Sequence, residues 1–509
     1  MDARNILTVI NSSTNREHPF NNEIFDNILD LSDKHSAAGG LRNQHGSIHK
    51  KITFTNCEFK DNIEITFSLV DITFEFDDCV FHSQFEMSVV KSLSFRNCKF
   101  LKKSSLNLQS ESNLIFNTNF ISGDFKLTST LNKHYFENIY FEQLGGKLII
   151  IAPGAHELKF SNCFLNDVEF QNSNCRLLLI ENSVLEKITF FGHNFGQLVF
   201  ISSILEKIDF GSALKNISLI ISNSIISHFQ IVAQTISNLH IDHSTFWLLR
   251  FVGNSPEISE YQIEWVDCKI LSLNRFKSKS EIEFSYVKVV SKGSLSFVNS
   301  DFKGMKFINC EFADSVLEFE NSQLEMFTAE TNFPVNVKTN GLFNRWSQAQ
   351  LAFGQLAKSY DAQGDTVRHL DYKSRELHAH MRKLNFKEDP SAFLNLWANY
   401  LSNNFGRNWI QCAAITLILG AISFYLIVVS SNNYSIGFGW HVDTRILNSF
   451  FHFFNPIRDT DTNKVFEIDG KQYIKLTRRS YVLDFFAHIL LAFLFYQTIS
   501  AFRRFGKSN

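Results

Sequence analysis

Proline is scarce in this chain, at 6 of 509 residues, and glycine is low at 22. That combination excludes collagen-like, mucin-like and flexible-linker classes. An apolar content of 44% excludes a mainly disordered chain. The eight cysteines (57, 79, 98, 163, 175, 268, 310 and 412) never form a CxxC pair. Zinc sites and dithiol redox centres are therefore not indicated, and isolated thiols fit a reducing compartment. The start, Met1-Asp-Ala-Arg-Asn-Ile-Leu7, lacks the apolar core of a secretory signal. Acid ladders of the kind used by secreted carbohydrate-cleaving β-helices are missing, as are a nucleophile–base set and a phosphate loop. No enzymatic activity and no cofactor are expected.

Charge is unevenly placed. Residues 341–509 carry 19 Lys and Arg against 12 Asp and Glu, leaving 30 against 39 for residues 1–340. An acidic first part argues against nucleic acid as a partner. A basic second part suits proximity to anionic lipid.

What the chain has in excess is phenylalanine, 54 residues. Much of it belongs to one pattern filling residues 52–324, apolar-x-Phe-x-Asn-Cys/Ser-x-Phe/Leu. The clearest copies are Ile52-Thr-Phe54-Thr-Asn56-Cys57-Glu-Phe59, Leu93-Ser-Phe95-Arg-Asn97-Cys98-Lys-Phe100 and Met305-Lys-Phe307-Ile-Asn309-Cys310-Glu-Phe312. The small residue after Asn recurs at 57, 79, 98, 118, 139, 163, 183, 203, 224, 244 and 268, then at 287, 300, 310 and 322. The period is near 20 and then relaxes to about half, which marks an internal repeat.

Residues two apart share one face of an extended segment, and Asn tolerates a left-handed corner. Each unit thus reads as strand, corner, strand, with two units per coil. Stacked coils pair every strand above and below while enclosing the Phe side chains. Cys57 and its equivalents occupy the small core position, where Ser183, Ser203 and Ser322 also occur. The expected fold is mainly β: a right-handed parallel β-helix of roughly 13 coils. Residues 51–340 form this domain. Residues 1–50 cap it, with Asn22–Leu31 read as an amphipathic helix over the first coil.

The Cys57-Glu58-Phe59, Cys98-Lys99-Phe100 and Cys310-Glu311-Phe312 triplets resemble the pentapeptide-repeat family. The likeness implies a right-handed solenoid.

After Asn340 the period becomes helical. Phe343 to Tyr360, a Gln363-Gly364-Asp365 stop and restart, and Thr366 to about Leu384 predict a helical hairpin over 341–388. His369, His378 and His380 are read as surface histidines. Residues 389–408 form an interfacial helix with Trp397 on its apolar face. Residues 409–509 are read as a transmembrane hairpin. Ile410–Ser430 is 21 residues without a charge, and Val482–Phe502 is the second span. Arg407, Trp409, Arg503 and Arg504 are its interface anchors. The loop between the spans contains a β-hairpin turning at Asp469-Gly470. Its Phe450-Phe451-His452-Phe453-Phe454 run would lie flat at the interface or plug a pore. Asp484, His488 and Thr498 share one face of the second span, and ionisable groups there are functional candidates.

The order of rod, helical hairpin, interfacial helix and two spans resembles bacterial pentapeptide-repeat membrane proteins. That likeness implies a multi-pass protein of the bacterial inner membrane, and the missing signal together with Arg503, Arg504 and Lys507 at the end predicts a cytosolic rod. Two spans cannot enclose a pathway alone, so a homo-oligomer is expected, with the bilayer and a cytosolic protein as further partners. The leading functional expectation is a rod that senses or binds, coupled to a membrane effector or pore; anti-phage defence is one setting by analogy. The alternative is a passive tethered scaffold.

Overall fold

The computed structural model describes residues 17–21, 23–25 and 29–30, most of 50–338 apart from short connections, and 345–431, 444–455, 467–468, 471–472 and 476–506. The chain divides into two compact units, Met1–Lys338 and Thr339–Asn509.

The first unit is a parallel β-solenoid. One sheet holds 15 strands, from Glu17–Asn21 to Met326–Ala329, each hydrogen-bonded to the equivalent strand one coil away. After the first coil, successive strands of this sheet start 19 to 24 residues apart. Register follows side-chain identity: Phe20 pairs with Phe54, Phe54 with Phe76 and Phe76 with Phe95.

Those pairings stack the rings. Phe20, Phe54, Phe76 and Phe95 lie 5.1, 4.9 and 5.1 Å apart, within 17° of parallel. Phe59, Phe81 and Phe100 form a second column at 5.0 and 4.7 Å. The columns meet edge to face, as Phe95 and Phe100 do at 5.2 Å. Phe307 continues the first type of column from Phe284 at 5.0 Å, and Phe312 meets it edge-on at 5.9 Å. All of these rings except Phe20 are essentially inaccessible. Each contributes about 1.5–3 kcal/mol of burial, with further gain from ring geometry.

The coil begins earlier than the pattern implied. Ile24–Phe25 and Leu29–Asp30 are strands paired with Glu58–Phe59 and Ile63–Glu64, so the helix expected over Asn22–Leu31 does not form there. Phe20, Phe25 and Leu29 repeat the five-then-four spacing of Phe54, Phe59 and Ile63. Phe25 and Leu29, four apart, also satisfy the spacing of one helical face. Pro19 lies in this outermost strand, the place in a sheet where a missing N–H is tolerated.

The corners carry a consistent backbone signature. Asn56, Asp78, Asn97, Asn162, Asn182, Asn223 and Asn309 all have φ between 50° and 54°. Ser202, His243, Trp265, Tyr286 and Glu330 occupy the same corner in other coils, with φ between 46° and 54°. This series shows that the period does not halve. The residue equivalent to Ser244 in the next coil is Val266, after the Trp265 corner, not Cys268, and Cys268 instead takes the rung of Phe246. Asn299 and Asn321 belong to a different corner of the same coils, opened by Arg275.

The residue after most corners is Cys or Ser, whose side chain closes the turn. Cys98 Sγ donates to Phe76 O and Arg96 O at 3.4 and 3.2 Å. Cys57 and Cys310 do the same toward Phe20 O and Phe284 O. Ser183 and Ser203 donate to Glu181 O and Ile201 O at 2.8 Å. Their oxygens also accept from the preceding coil, Cys163 N to Ser183 Oγ at 3.0 Å and Ser183 N to Ser203 Oγ at 3.3 Å. Cys and Ser alternate there because both are small and both donate. Burial pushes the Cys175 and Cys310 thiols up to about 12.

The second unit is helical: α1 Arg345–Ala362, α2 Thr366–Lys383, α3 Pro390–Asn403, α4 Trp409–Val429, α5 Thr444–Phe453 and α6 Arg478–Gly506. A two-stranded antiparallel ribbon pairs Glu467–Ile468 with Lys471–Gln472, flanking the expected Asp-Gly turn. The turn residues themselves lie outside the described residues.

Candidate functional site

The second unit is organised around the corner between α3 and α4. Gly364, with φ of 78°, ends α1, and the Asp365 carboxylate caps α2 by accepting from Arg368 N at 3.0 Å. The expected stop and restart is therefore present. Asp389 caps α3 in the same way, accepting from Ala392 N at 2.9 Å. Three successive positive φ values, at Asn404, Phe405 and Gly406, then reverse the chain into α4.

That reversal is tied to two other helices. Asn403 Nδ2 donates to Gln497 Oε1 of α6 at 2.8 Å, and its Oδ1 accepts from Gly406 N at 2.7 Å; both side chains are buried. Ser374 Oγ of α2 donates to Asn404 O at 3.2 Å. Arg407 pairs with Asp371 of α2 at 2.8 Å, and Asp371 also pairs with Arg375. Arg407, expected as a lipid anchor, is thus tied to the helical hairpin. Trp409 meets Phe502 edge to face at 5.8 Å, joining the start of α4 to the end of α6. Arg503 is exposed at that same end, and the Arg504 side chain lies outside the described residues.

The histidines of the helical hairpin are partly buried packing groups rather than free surface residues. His378 lies against the rings of Trp346 and Tyr400, at 6.4 and 5.5 Å. Burial, helped by Arg382, pulls its pKa below the usual imidazole value. His369 Nδ1 lies 3.0 Å from Ala357 O. Among the described residues, no group of His, Cys, Asp and Glu could hold a metal ion.

α4 and α6 are long and apolar enough to cross a membrane. Only 33% and 28% of their apolar windows are buried. Ile410, Leu417, Ile418, Ile489 and Phe502 point outward, each more than half exposed. On α3, Leu394, Trp397, Tyr400 and Leu401 are likewise exposed.

The face expected on α6 is split by the structure. Asp484 is 5% exposed and His488 is half-buried. Thr498 is engaged locally, donating to Leu494 O at 2.9 Å. The buried polar group at that end is Gln497, one residue away. Its signal was an amide in an apolar helix matched by the Asn403-Asn404 pair before α4. The opposite end is latched by hydroxyls: Ser430 Oγ and Ser480 Oγ are 2.8 Å apart, and Thr477 Oγ1 donates to Ser430 O at 2.8 Å.

The Phe-rich run forms part of α5 and packs on α4 and α6. Phe424, Ile427, Val428, Phe453, Ala487 and Leu491 make one buried cluster, with Phe450 and Phe454 against it. Phe451 remains outward at 64% exposure.

On the solenoid, one narrow face is exposed and apolar. Phe164, Val184, Ile204 and Ile225 stand in register, one per coil, and Phe164, Ile204 and Ile225 are each nearly half exposed or more. Beyond them, Trp265 and Tyr286 stack at 4.1 Å and 2°, with His243 6.0 Å from Trp265.

No protein-family model, curated protein or solved structure matches the chain. What is established is a class: a parallel β-solenoid followed by helices, two of which can cross a membrane.

Proposed function

We propose that this protein is a membrane-anchored scaffold whose solenoid presents a binding surface to another protein. The observation that carries the anchor is the outward apolar belt of α4 and α6. A soluble core helix would hide those side chains, whereas here two thirds or more of each apolar window is uncovered. α3 supports it, since Trp397 and Tyr400 suit the headgroup boundary. The Phe164–Ile225 row and the Trp265–Tyr286 stack supply the presenting surface, because exposed apolar rows on a repeat protein are where partners dock. Carbonate washing of membranes tests the anchor: the full chain should stay in the pellet, and a chain ending at Asn404 should be released. Full release of the intact chain would overturn it.

A second reading, a membrane effector acting as an oligomer, is favoured by Asp484, a carboxyl buried in a helix that spans the bilayer on this reading. It predicts depolarisation on expression, lost in Asp484→Ala. Replacing the hairpin with an unrelated two-span anchor separates the readings: a scaffold keeps its function and an effector loses it.

A further inference from the structure

α5 does not stay at the end of the two apolar helices; it descends along them. The Ser430–Thr477–Ser480 latch marks that end. From there, Phe450 and Phe453 pack on Phe424 with ring centres 5.5 and 5.6 Å apart, and the buried cluster of Phe424 and Phe453 also holds Ala487 and Leu491. Phe454 sits so close over Gly420 that a Cβ there would come within 2.2 Å of its ring. Gly420 is ten residues before Ser430, about 15 Å along the helix axis. Leu491, eleven residues past Ser480, gives about the same depth. Both place the end of α5 near the middle of a hydrocarbon layer about 30 Å thick.

The side of α5 turned away from the spans is not suited to lipid. Asn448 and His452 are exposed and four residues apart on α5, and exposed Asn455 follows two residues past its end, extending a polar stripe. Leu447 and Phe451 flank it, also exposed. Polar side chains and a helix terminus at this depth are accommodated against protein or water, not acyl chains. An Asn amide both donates and accepts, so a stripe built on such groups is complementary to a copy of itself.

We propose that the Asn448–His452–Asn455 stripe faces the same stripe of neighbouring copies of this chain, across a water-filled seam open from the loop side to half depth. This rests on the membrane reading above and gives the oligomer its interface.

The test uses the full chain in membranes with single cysteines added at Asn448→Cys, His452→Cys and the outward Ile418→Cys. All eight native cysteines are buried and form a silent background. A charged, membrane-impermeant thiol reagent should modify the first two at least about tenfold faster than Ile418→Cys, because only a hydrated thiol ionises. Oxidation should cross-link the first two into dimers and leave Ile418→Cys monomeric. If both stripe variants react as slowly as Ile418→Cys, or react but never cross-link, in carbonate-resistant membranes, the proposal fails. If the protein is released by carbonate and Ile418→Cys reacts rapidly as well, the membrane reading itself has failed.

Discussion

Trp265 sits at a solenoid corner with φ of 52°, where Asn recurs in other coils and the two adjacent coils place His243 and Tyr286. Replacing it by Ala, Gly and Asn separates side chain from backbone. Its ring lies face to face with Tyr286 at 4.1 Å, a contact worth about 0.5–1.5 kcal/mol. All three replacements lose that contact. A left-handed backbone costs an L-residue about 1–2 kcal/mol, which Gly escapes and Asn partly offsets. Gly returns about 0.5–1 kcal/mol through its freer unfolded chain. The expected order of stability is therefore Gly at or above Asn and both above Ala, with Ala lowest by up to about 1 kcal/mol. Amide exchange is the assay, because Trp265 N donates to Ser285 O at 3.0 Å and Asp267 N to Ser244 O at 3.1 Å. Protection of these amides should fall most in Trp265→Ala. Equal protection in the Ala and Gly variants would refute the claim that the corner holds a left-handed conformation at a cost.

Gly420→Leu should displace Phe454 and lower stability by about 1–3 kcal/mol through overpacking. Adding Phe454→Ala should recover most of it, a non-additivity visible in melting of the detergent-solubilised chain. Asn403→Leu leaves the Gln497 amide and Gly406 N–H buried without that partner and should cost about 2 kcal/mol or more in the same assay. Acidification should weaken the fold in two windows. His378 has a lowered pKa in the fold, so the unfolded chain takes up its proton first and stability drops as pH falls below the ordinary value of 6.5. The Glu181 carboxyl, held down by its 2.7 Å ion pair with Lys159, contributes stability that is lost as pH falls through and below the ordinary carboxylate value of 4.5. Lys159→Met should remove most of that lower phase from hydrogen-exchange profiles of its coil. Thiol reagents at pH 8 should leave Cys175 and Cys310 unmodified until the solenoid unfolds, since their pKa values stand near 12.

The solenoid was legible because its information is local and repeated. Phe54, Asn56, Cys57 and Phe59 state rung, corner, turn closure and rung within six residues, and parallel stacking copies the statement from coil to coil. Misreadings arose where local patterns coincide. Phe25 and Leu29 are four apart, as on one face of a helix, and only pairing with Phe59 and Ile63 distinguishes the two. Trp265 breaks the Asn rule, so the marker slipped to Cys268. In the second unit, Asp484 and His488 stood out as ionisable residues in an apolar run, but the burial of Gln497 depended on what packs against the helix. Gln497 is enclosed because Asn403 faces it.

The amino-acid sequence alone thus determined the coil, the order of elements and the length of the two apolar helices, since each follows from short-range periodicity and the stiffness of the backbone. Tertiary structure decided the rest: Arg407 pairs with Asp371 in α2, α5 descends along the hairpin to Gly420, and its polar stripe is left on the outside. Those outcomes depend on contacts between residues up to about a hundred positions apart, and no local spacing encodes which of several apolar faces will meet.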